Sequence, residues 1–267
     1  MSNVFKDLEG KWALILGASS GFGGATALAL SEVGMNICGV HLDRKATMDN
    51  VERIKNGIKG NGRTALFFNV NASDEEKRAE VLETLKDKMG GNGKVHVLMH
   101  SLAFGTLKLF FAPAKESLNK TQMEMTLDVM AHSLVYWTQA LMENDLLGEG
   151  SRIYAMTSAG GERVWPTYGA VSAAKAALES HIRQIALELA PQKITANAIR
   201  AGVTDTPALR KIPGNEKMIE LATAKNPGKR LTTPEDVAKA IVAFSLPHTQ
   251  WLSGNVLGVD GGENIVD

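Results

Sequence analysis

The chain has 267 residues, 44% of them hydrophobic, and its 29 basic and 29 acidic side chains give a formal net charge of +0. This balance argues against nucleic acid or an anionic membrane as the main partner, and no apolar run is long enough to span a membrane. Cys38 is the single cysteine, which excludes an internal disulfide and fits a reducing compartment. The polar amino-terminal residues do not resemble a signal peptide, so we expect a cytoplasmic protein.

Apolar segments with strand character alternate along the chain with segments of helical character. The predicted strands are Trp12–Leu16, Asn36–His41, Thr64–Val70, Val95–His100, Arg152–Thr157, Lys193–Ile199 and Val256–Val259. The predicted helices are Ala25–Val33, Met48–Lys59, Glu75–Met89, Thr121–Glu143, Tyr168–Leu189 and Pro234–Phe244. Apolar strands that alternate with helices indicate a parallel sheet covered on both faces. We therefore expect an α/β protein, a Rossmann-type doubly wound sheet of about seven strands, in one domain over residues 1–267.

A glycine-rich loop lies between the first predicted strand and an alanine-rich helix. Glycines let backbone N–H groups approach a pyrophosphate at a helix amino terminus, whose dipole favours negative charge. Alone, such a run could be a simple tight turn, but its position after a strand favours a dinucleotide site. The predicted cofactor-binding residues of this loop are Gly17, Ser19, Ser20, Gly21, Phe22 and Gly23.

Tyr168 and Lys175 form the most informative pair in the chain. Seven residues are about two helical turns, so both side chains return to one face of a helix. Pro166 marks the entry to this helix, because proline is tolerated at helix starts and excluded from interiors. The pair could be an ordinary aromatic and a solvated charge, yet the alanines around Lys175 are unusual neighbours for a surface lysine. Beside a dinucleotide, the pair predicts an acid and its activator.

These motifs, with Ser158 and the final Val259-Asp-Gly-Gly262, resemble the short-chain dehydrogenase/reductase superfamily over nearly the whole chain. Most members space the two catalytic residues as Y-x3-K, which would place tyrosine at Val171. The Y-x6-K spacing found here is similar to that of enoyl-acyl-carrier-protein reductases, as is the segment His100-Ser-Leu-Ala-Phe104. Met130 stands where ketone-reducing members carry a catalytic asparagine. The resemblance therefore implies reduction of a trans-2-enoyl thioester in fatty acid biosynthesis.

The same resemblance implies a role for each matching residue. Tyr168 would hydrogen-bond the developing oxyanion, Lys175 would bind the nicotinamide ribose, and Ser158 would contact either the substrate carbonyl or the loop backbone. The cofactor-binding residues beyond the glycine loop would be His41, Arg44, Lys45, Asn69, Val70, Ser101, Leu102, Lys175, Thr204 and Thr206. The substrate-binding residues would be Ala103, Phe104, Gly105 and Tyr168. A homotetramer built through the two longest helices is also implied.

The cofactor is either NADPH or NADH. An acid near the end of the second strand would bind the ribose 2′-hydroxyl of NADH, whereas a cation would bind the 2′-phosphate of NADPH. The chain offers both in His41-Leu-Asp43-Arg44-Lys45, and the two cations favour NADPH. No metal site is expected, because His100 and His132 lack partners at ligand spacing.

Residues 203–230 are predicted to form a substrate lid, with Pro213-Gly214 and Pro227-Gly228 as helix breakers. Its cations are Arg210, Lys211, Lys217, Lys225, Lys229 and Arg230. They could steer an acidic acyl carrier protein to the site or could be simply solvated, and coenzyme A is the other possible carrier. Two alternatives to the enoyl reductase remain at this point: another short-chain alcohol or ketone oxidoreductase, and a non-catalytic dinucleotide sensor.

Overall fold

Seven strands form one sheet in which every neighbouring pair is parallel. The computed structural model describes residues 3–113 and 116–266, so residues 1, 2, 114, 115 and 267 of the predicted domain lie outside the described residues. The strands are β1 (Trp12–Leu16), β2 (Asn36–His41), β3 (Ala65–Asn69), β4 (Val95–His100), β5 (Arg152–Ser158), β6 (Thr195–Ala201) and β7 (Val256–Val259). Their order in the sheet is β3-β2-β1-β4-β5-β6-β7, which confirms the predicted doubly wound α/β fold.

Helices connect the strands along the chain. They are α1 (Gly21–Glu32), α2 (Met48–Gly60), α3 (Glu75–Lys88), α4 (Lys120–Leu127), α5 (Ser133–Glu143), α6 (Gly169–Leu189), α7 (Asn215–Lys225) and α8 (Pro234–Phe244). Among the helices that the structure describes, none combines the length and apolar composition needed to cross a membrane.

The sheet has a hydrophobic core on each face. Alternate residues of β1 belong to different cores, because successive side chains of a strand point to opposite faces. Leu14 packs in the core that α3, α5 and α6 cover, whereas Ile15 packs in the core that α1, α2 and α8 cover. The strands are apolar throughout because both of their faces are buried.

The predicted helix Thr121–Glu143 is interrupted by a π-helical turn, Asp128–His132, between α4 and α5. The N–H of Ser133 donates to the carbonyl of Asp128, five residues back along the chain. A π-helical turn inserts one residue into the α-helical ladder, and such turns are frequent at functional sites. The hydrophobic pattern alone gave no signal of this insertion.

The bounds of β6 and α1 differ most from the predicted ones. The strand predicted at Lys193–Ile199 begins two residues later, because Lys193 has a left-handed φ of 58° and ends the preceding turn. Helix α1 begins at Gly21, earlier than the predicted Ala25, because the glycines of the loop already form its first turn.

Candidate active site

The crevice lies at the carboxyl ends of β1 and β4, where the strand order reverses. The chain leaves β1 toward α1 on one face and leaves β4 toward α5 on the other, which opens a gap between the two loops. The N–H of Ser101 donates to the carbonyl of Leu16 at 2.8 Å and so fixes the two strand ends against each other. The predicted glycine loop and the predicted residues Ser101 and Leu102 thus meet at this gap.

The glycine loop is closely packed and leaves no room for larger side chains at two positions. A Cβ on Gly17, whose φ is 91°, would overlap the carbonyl oxygen of Ser101, and one on Gly23 would overlap the carbonyl oxygen of Gly17. Ser20 precedes α1 and makes no side-chain capping bond there, so the first N–H groups of the helix remain available. A backbone cradle at an uncapped helix amino terminus fits the pyrophosphate of a dinucleotide.

The structure brings the loop after β6 to the same place. A Cβ on Gly21 would lie 3.6 Å from Cγ2 of Thr206, and both Thr204 and Thr206 are buried. The hydroxyl of Thr204 donates to the carbonyl of Gly202 at 2.9 Å. Thr206 therefore lies against the glycine loop, and Thr204 lies two residues before it along the chain.

Just beyond the end of β2, the carboxylate of Asp43 lies within hydrogen-bonding reach of Ser19 in the glycine loop. Its Oδ2 lies 3.0 Å from Nδ1 of the buried His41, and its backbone N–H donates to Oδ1 of Asn69 at 2.9 Å. Burial raises the pKa of the Asp43 carboxyl, but hydrogen bonds from Thr47, Ser19 and His41 outweigh it and lower that pKa overall. The carboxylate is therefore ionised at neutral pH.

Four other residues near the end of β2 are predicted to bind the cofactor: His41, Arg44, Lys45 and Val70. Arg44 and Lys45 are exposed, and the N–H of Val70 donates to the carbonyl of His41 at 2.8 Å. Burial lowers the pKa of His41, while Asp43 opposes that change. Sequence reasoning weighed Asp43 against Arg44 and Lys45 and favoured the two cations; the structure adds the contacts of Asp43 with His41 and Asn69.

Tyr168 caps helix α6 at its amino terminus, with φ −88° and ψ 0°, so the helix proper begins one residue later than predicted. Burial raises the pKa of the Tyr168 phenol, and the nearby Ser158 hydroxyl opposes part of that rise. A Cβ on Gly160 would overlap the tyrosine ring and lie 3.2 Å from Oγ of Ser158. The Ser158 Oγ is buried without a hydrogen-bond partner of normal geometry in the described part of the chain. A buried free hydroxyl beside a phenol fits a ligand oxygen.

Lys175 is 6% exposed, and its Nζ donates to the carbonyl of Met156 in β5 at 2.6 Å. Burial lowers the pKa of Lys175 to about 8, while the Glu179 carboxylate opposes that shift. The hydroxyl of Thr157 donates to Oε1 of Glu179 at 2.6 Å and holds this carboxylate in place. The ammonium is thus buried at the carboxyl end of the sheet, beside the strand that carries Ser158.

His100, the first residue of the segment His100-Ser-Leu-Ala-Phe104, is fully buried at the end of β4. Its Nε2 lies 2.8 Å from Oγ of Ser133, which itself donates to the carbonyl of Val129 at 2.8 Å. Because the serine has one proton, the histidine is the donor of the first bond. Burial, with a smaller effect of Lys175, lowers the pKa of His100 to about 3, so the ring is neutral. His100 thereby ties β4 to the π-helical turn.

An apolar corner occupies the positions where ketone-reducing members of the superfamily carry tyrosine and asparagine. A Cβ on Gly105 would lie 2.8 Å from Cγ2 of Val171, 2.8 Å from Cγ2 of Thr126 and 2.9 Å from Sδ of Met130. Val171 and Met130 therefore pack around the same point, and neither can transfer a proton. The segment of Ala103, Phe104 and Gly105 predicted to bind substrate runs along this corner.

The segment after β4 also supplies aromatic side chains near Tyr168. A Cβ on Gly169 would lie 2.5 Å from Cζ of the Phe110 ring, so this ring packs directly against the start of α6. Phe104 is 58% exposed and Phe110 is 46% exposed. Exposed aromatic rings at the mouth of a crevice provide an apolar surface for a ligand.

The residues of the predicted lid form a loop and helix α7 above the β6 end. Two of its six cations are paired: Arg210 makes two hydrogen bonds to Asp205 at 2.7 and 2.9 Å, and Arg230 makes two to Asp236 at 2.5 and 3.1 Å. The positive charge of the lid is therefore weaker than the sequence alone suggests. Within residues 3–113 and 116–266, no group of three or more potential ligands could hold a metal ion.

Comparisons with known proteins agree with this geometry. Residues 17–264 match the family model described as Enoyl-(Acyl carrier protein) reductase. The chain is 30% identical over 202 residues to an enoyl-acyl-carrier-protein reductase (NADH) of Nostoc sp., an alignment that covers 76% of each chain. It is 27% identical over 255 residues to a 3-oxoacyl-acyl-carrier-protein reductase of Thermotoga maritima, covering 96% of this chain and 98% of the relative. The solved structure of an enoyl-acyl-carrier-protein reductase (NADH) from Aquifex aeolicus superposes with a TM-score of 0.84 at 26% identity, covering 97% and 98% of the two chains.

Proposed function

The chain belongs to the Enoyl-(Acyl carrier protein) reductase family of short-chain dehydrogenases/reductases and is an oxidoreductase, and we propose that it reduces the trans-2 double bond of enoyl thioesters in fatty acid biosynthesis. One observation carries this proposal. Tyr168 lies beside Ser158, and the buried Lys175 is bonded to the strand that carries Ser158, while Val171 and Met130 make the alternative catalytic positions apolar. When bound, a nicotinamide cofactor would supply the hydride for the β-carbon of the substrate.

The backbone of the Gly17–Gly23 loop would bind the pyrophosphate of that cofactor. Thr204 and Thr206 would hold its nicotinamide end, and Asn69 would lie at its adenine. The two glycines that have no room for a Cβ support this assignment, as does the uncapped start of α1.

Tyr168 would donate a hydrogen bond to the thioester oxygen as negative charge develops on it. A preorganised donor stabilises this charge most in a site that excludes water. The phenol remains protonated, and hence a donor, because burial raises its pKa. Ser158, whose hydroxyl lacks a protein partner of normal geometry in the described residues, would donate to the same oxygen. The α-carbon then takes a proton, which completes the reduction.

Lys175 would bind the ribose hydroxyls of the cofactor and place a positive charge near the phenol. With its pKa lowered to about 8, the amine is still charged at neutral pH. The charge favours a strongly polarised phenol, because an opposite charge nearby stabilises the ionised form of an acid.

We propose NADH as the cofactor, against the choice that the two cations alone favour. The ionised Asp43 lies beside Ser19 in the phosphate loop, where it would accept a hydrogen bond from a ribose 2′-hydroxyl and repel a 2′-phosphate. Arg44 and Lys45 are exposed, so solvent and salt screen their attraction for such a phosphate. The Nostoc and Aquifex proteins, whose names specify NADH, support this choice.

The thioester would be presented by acyl carrier protein or coenzyme A, with its acyl chain on the surface of Phe104 and Phe110. The lysines of the lid would steer an acidic carrier, since both lid arginines are paired with aspartates.

A homotetramer through α4, α5 and α6, and a cytoplasmic location, remain expectations from the family. Size-exclusion chromatography with light scattering tests the first of these.

The proposal is tested by the oxidation of NADH and NADPH with a short trans-2-enoyl thioester, beside the matching 3-ketoacyl thioester. We expect turnover of the enoyl substrate and none of the keto substrate. Turnover of the keto substrate alone would indicate a 3-oxoacyl reductase, the activity in the name of the Thermotoga relative, and would contradict the proposal. Tight cofactor binding without turnover of either substrate would favour a sensor.

A further inference from the structure

Residues Trp165–Tyr168 form a β-turn that carries the catalytic phenol on its last residue. The N–H of Tyr168 donates to the carbonyl of Trp165 at 3.1 Å, and Pro166 has its φ fixed by its ring. Thr167 has a φ of 66°, as the third position of a type II turn requires. That position favours glycine or asparagine, and a β-branched residue is strained there. The turn is therefore held by its surroundings as well as by its own sequence.

The first residue of this turn contacts the tip of the lid. The indole N–H of Trp165 donates to the carbonyl of Pro213 at 3.2 Å. The ring also packs against Gly214, where a Cβ would lie 3.6 Å from Cζ2 of the indole. Gly214 has a φ of 78° and begins the turn into α7. One side chain thus joins the catalytic turn to the point at which the lid reverses direction.

The base of the lid is fixed by a different part of the chain. The carboxylate of Glu263 accepts from the N–H of Val203 at 3.1 Å, where the lid begins. Near its other end, the side-chain amide of Asn226 donates to the carbonyl of Asp260 at 2.8 Å. Both ends of the lid are therefore tied to the carboxyl-terminal turn, residues 260–263. With the base held there, movement of the lid requires its tip to leave Trp165.

We infer that Trp165 is a positioning residue that latches the lid to the catalytic turn and thereby couples lid closure to the placement of Tyr168. With the latch formed, the lid tip supports the strained turn that holds the phenol over the crevice. With the latch broken, the lid is free to open about its base and the turn loses one of its supports. The inference rests on the proposed role of Tyr168 as the oxyanion donor.

The test compares Trp165→Phe with the control Trp251→Phe. The first variant keeps an aromatic ring but removes the N–H donor and the Cζ2 edge that packs against Gly214, whereas Trp251 is 99% exposed and distant in sequence from both the turn and the lid. Amide hydrogen exchange is followed by mass spectrometry in peptides covering residues 203–230 and 159–175. In Trp165→Phe we expect exchange at the lid tip to be about fivefold faster, as for the loss of one hydrogen bond. The control should exchange like the wild type.

Kinetics separate positioning from a merely structural role. For Trp165→Phe we expect kcat for the enoyl thioester to fall about fivefold while the dissociation constant for NADH stays unchanged. Equal lid exchange in the variant and the wild type would overturn the latch. Faster exchange with an unchanged kcat would overturn the coupling to Tyr168. A wild type that is inactive on the thioester, with faster lid exchange in the variant, would refute the proposed function and the coupling but leave the latch standing.

Discussion

The two edges of the sheet both bury polar side chains, yet they use them for different purposes. At the amino edge, Nε2 of His96 donates to the carbonyl of Ser245 at 2.8 Å, and Arg152 donates to the carbonyls of Gly150 at 2.8 Å and Leu246 at 3.4 Å. Ser245 and Leu246 follow α8, so these donors meet the carbonyls at the negative end of a helix. The amino edge is a capping site.

At the carboxyl edge, the buried groups surround a crevice. Burial raises the pKa of Tyr168 and lowers that of Lys175 to about 8. The Ser158 hydroxyl makes no hydrogen bond of normal geometry to the described residues. A shifted pKa does not by itself separate the two edges, because burial also lowers the pKa of His96 to about 4. The difference is the uncapped amino terminus of α1 at the carboxyl edge, whose first backbone N–H groups are available to a ligand.

The largest effect is expected from removing the phenol at the carboxyl edge. Tyr168→Phe should lower kcat/KM for the enoyl thioester by about 10²–10³, the cost of losing one oxyanion donor. The matched control is Tyr154→Phe, since Tyr154 loses the same hydroxyl but lies fully buried in the core between β5 and α8, away from the crevice. Steady-state rates and NADH binding measure both variants. Comparable losses of activity in the two would remove the distinction between the edges.

A second pair of variants should change stability in opposite directions. Lys175→Met removes a desolvated ammonium and should raise the free energy of unfolding at pH 7 by about 1–3 kcal/mol, while activity is lost. Arg152→Met leaves the carbonyls of Gly150 and Leu246 without their donor. It should therefore lower the free energy of unfolding by about 1–3 kcal/mol. Urea denaturation measures both. A loss of stability in Lys175→Met would show that its bond to Met156 outweighs its desolvation.

The pH dependence of the free energy of unfolding tests whether burial of Lys175 destabilises the fold. The pKa of Lys175 is about 8 in the fold against 10.5 for the free side chain, so between these values the unfolded chain binds more protons. Wild-type stability should therefore rise with pH in this window relative to Lys175→Met, and the full cost of burial should be present below about pH 8. A constant difference between the two proteins from pH 7 to 10 would contradict this assignment.

A substitution of Asp43 tests the partly buried carboxylate of the carboxyl edge. Removing its charge in Asp43→Ala should improve NADPH binding relative to NADH by about tenfold, because the repulsion of the 2′-phosphate is lost. Fluorescence titration with each cofactor measures the ratio, and Asp49→Ala, an exposed acid at the start of α2, is the control. An unchanged ratio of the two affinities would indicate that Arg44 and Lys45, and not Asp43, select the cofactor.

The smallest effect is expected in the pH profile of catalysis. The value of kcat/KM for NADH should fall above about pH 8, where Lys175 loses its proton in the free enzyme. In Lys175→Arg the fall should move to higher pH, since a guanidinium keeps its charge. A profile that is identical in both proteins would assign the alkaline fall to another group.

Much of the fold could be predicted because local patterns determine it. Strands β1, β2, β4 and β7 and helix α8 begin and end at the predicted residues. Their apolar runs and the Thr233-Pro234 start of α8 are local signals. The π-helical turn could not be predicted, because its hydrogen bonds are held from outside the helix by His100 through Ser133.

The candidate site likewise has local features that the sequence predicts and long-range contacts that it does not. The glycine loop and the Tyr168/Lys175 spacing are readable in the sequence, since each is a run of residues within one or two turns of the chain. The link of Asp43 to Asn69 joins residues 26 apart, and that of Trp165 to Pro213 joins residues 48 apart. No local pattern encodes such pairs, because they form only when the sheet brings different loops to one edge.

The sequence alone thus determined the order of the elements, the family and the residue types that the chemistry requires. The burial of Lys175, the exposure of Arg44 and Lys45 and the approach of Asp43 to Ser19 depend on packing between distant segments. Burial sets the lowered pKa of Lys175, and hydrogen bonds set that of Asp43; both are properties of the assembled structure. For that reason the sequence predicts which residues form the site, and the tertiary structure determines their charge states and contacts.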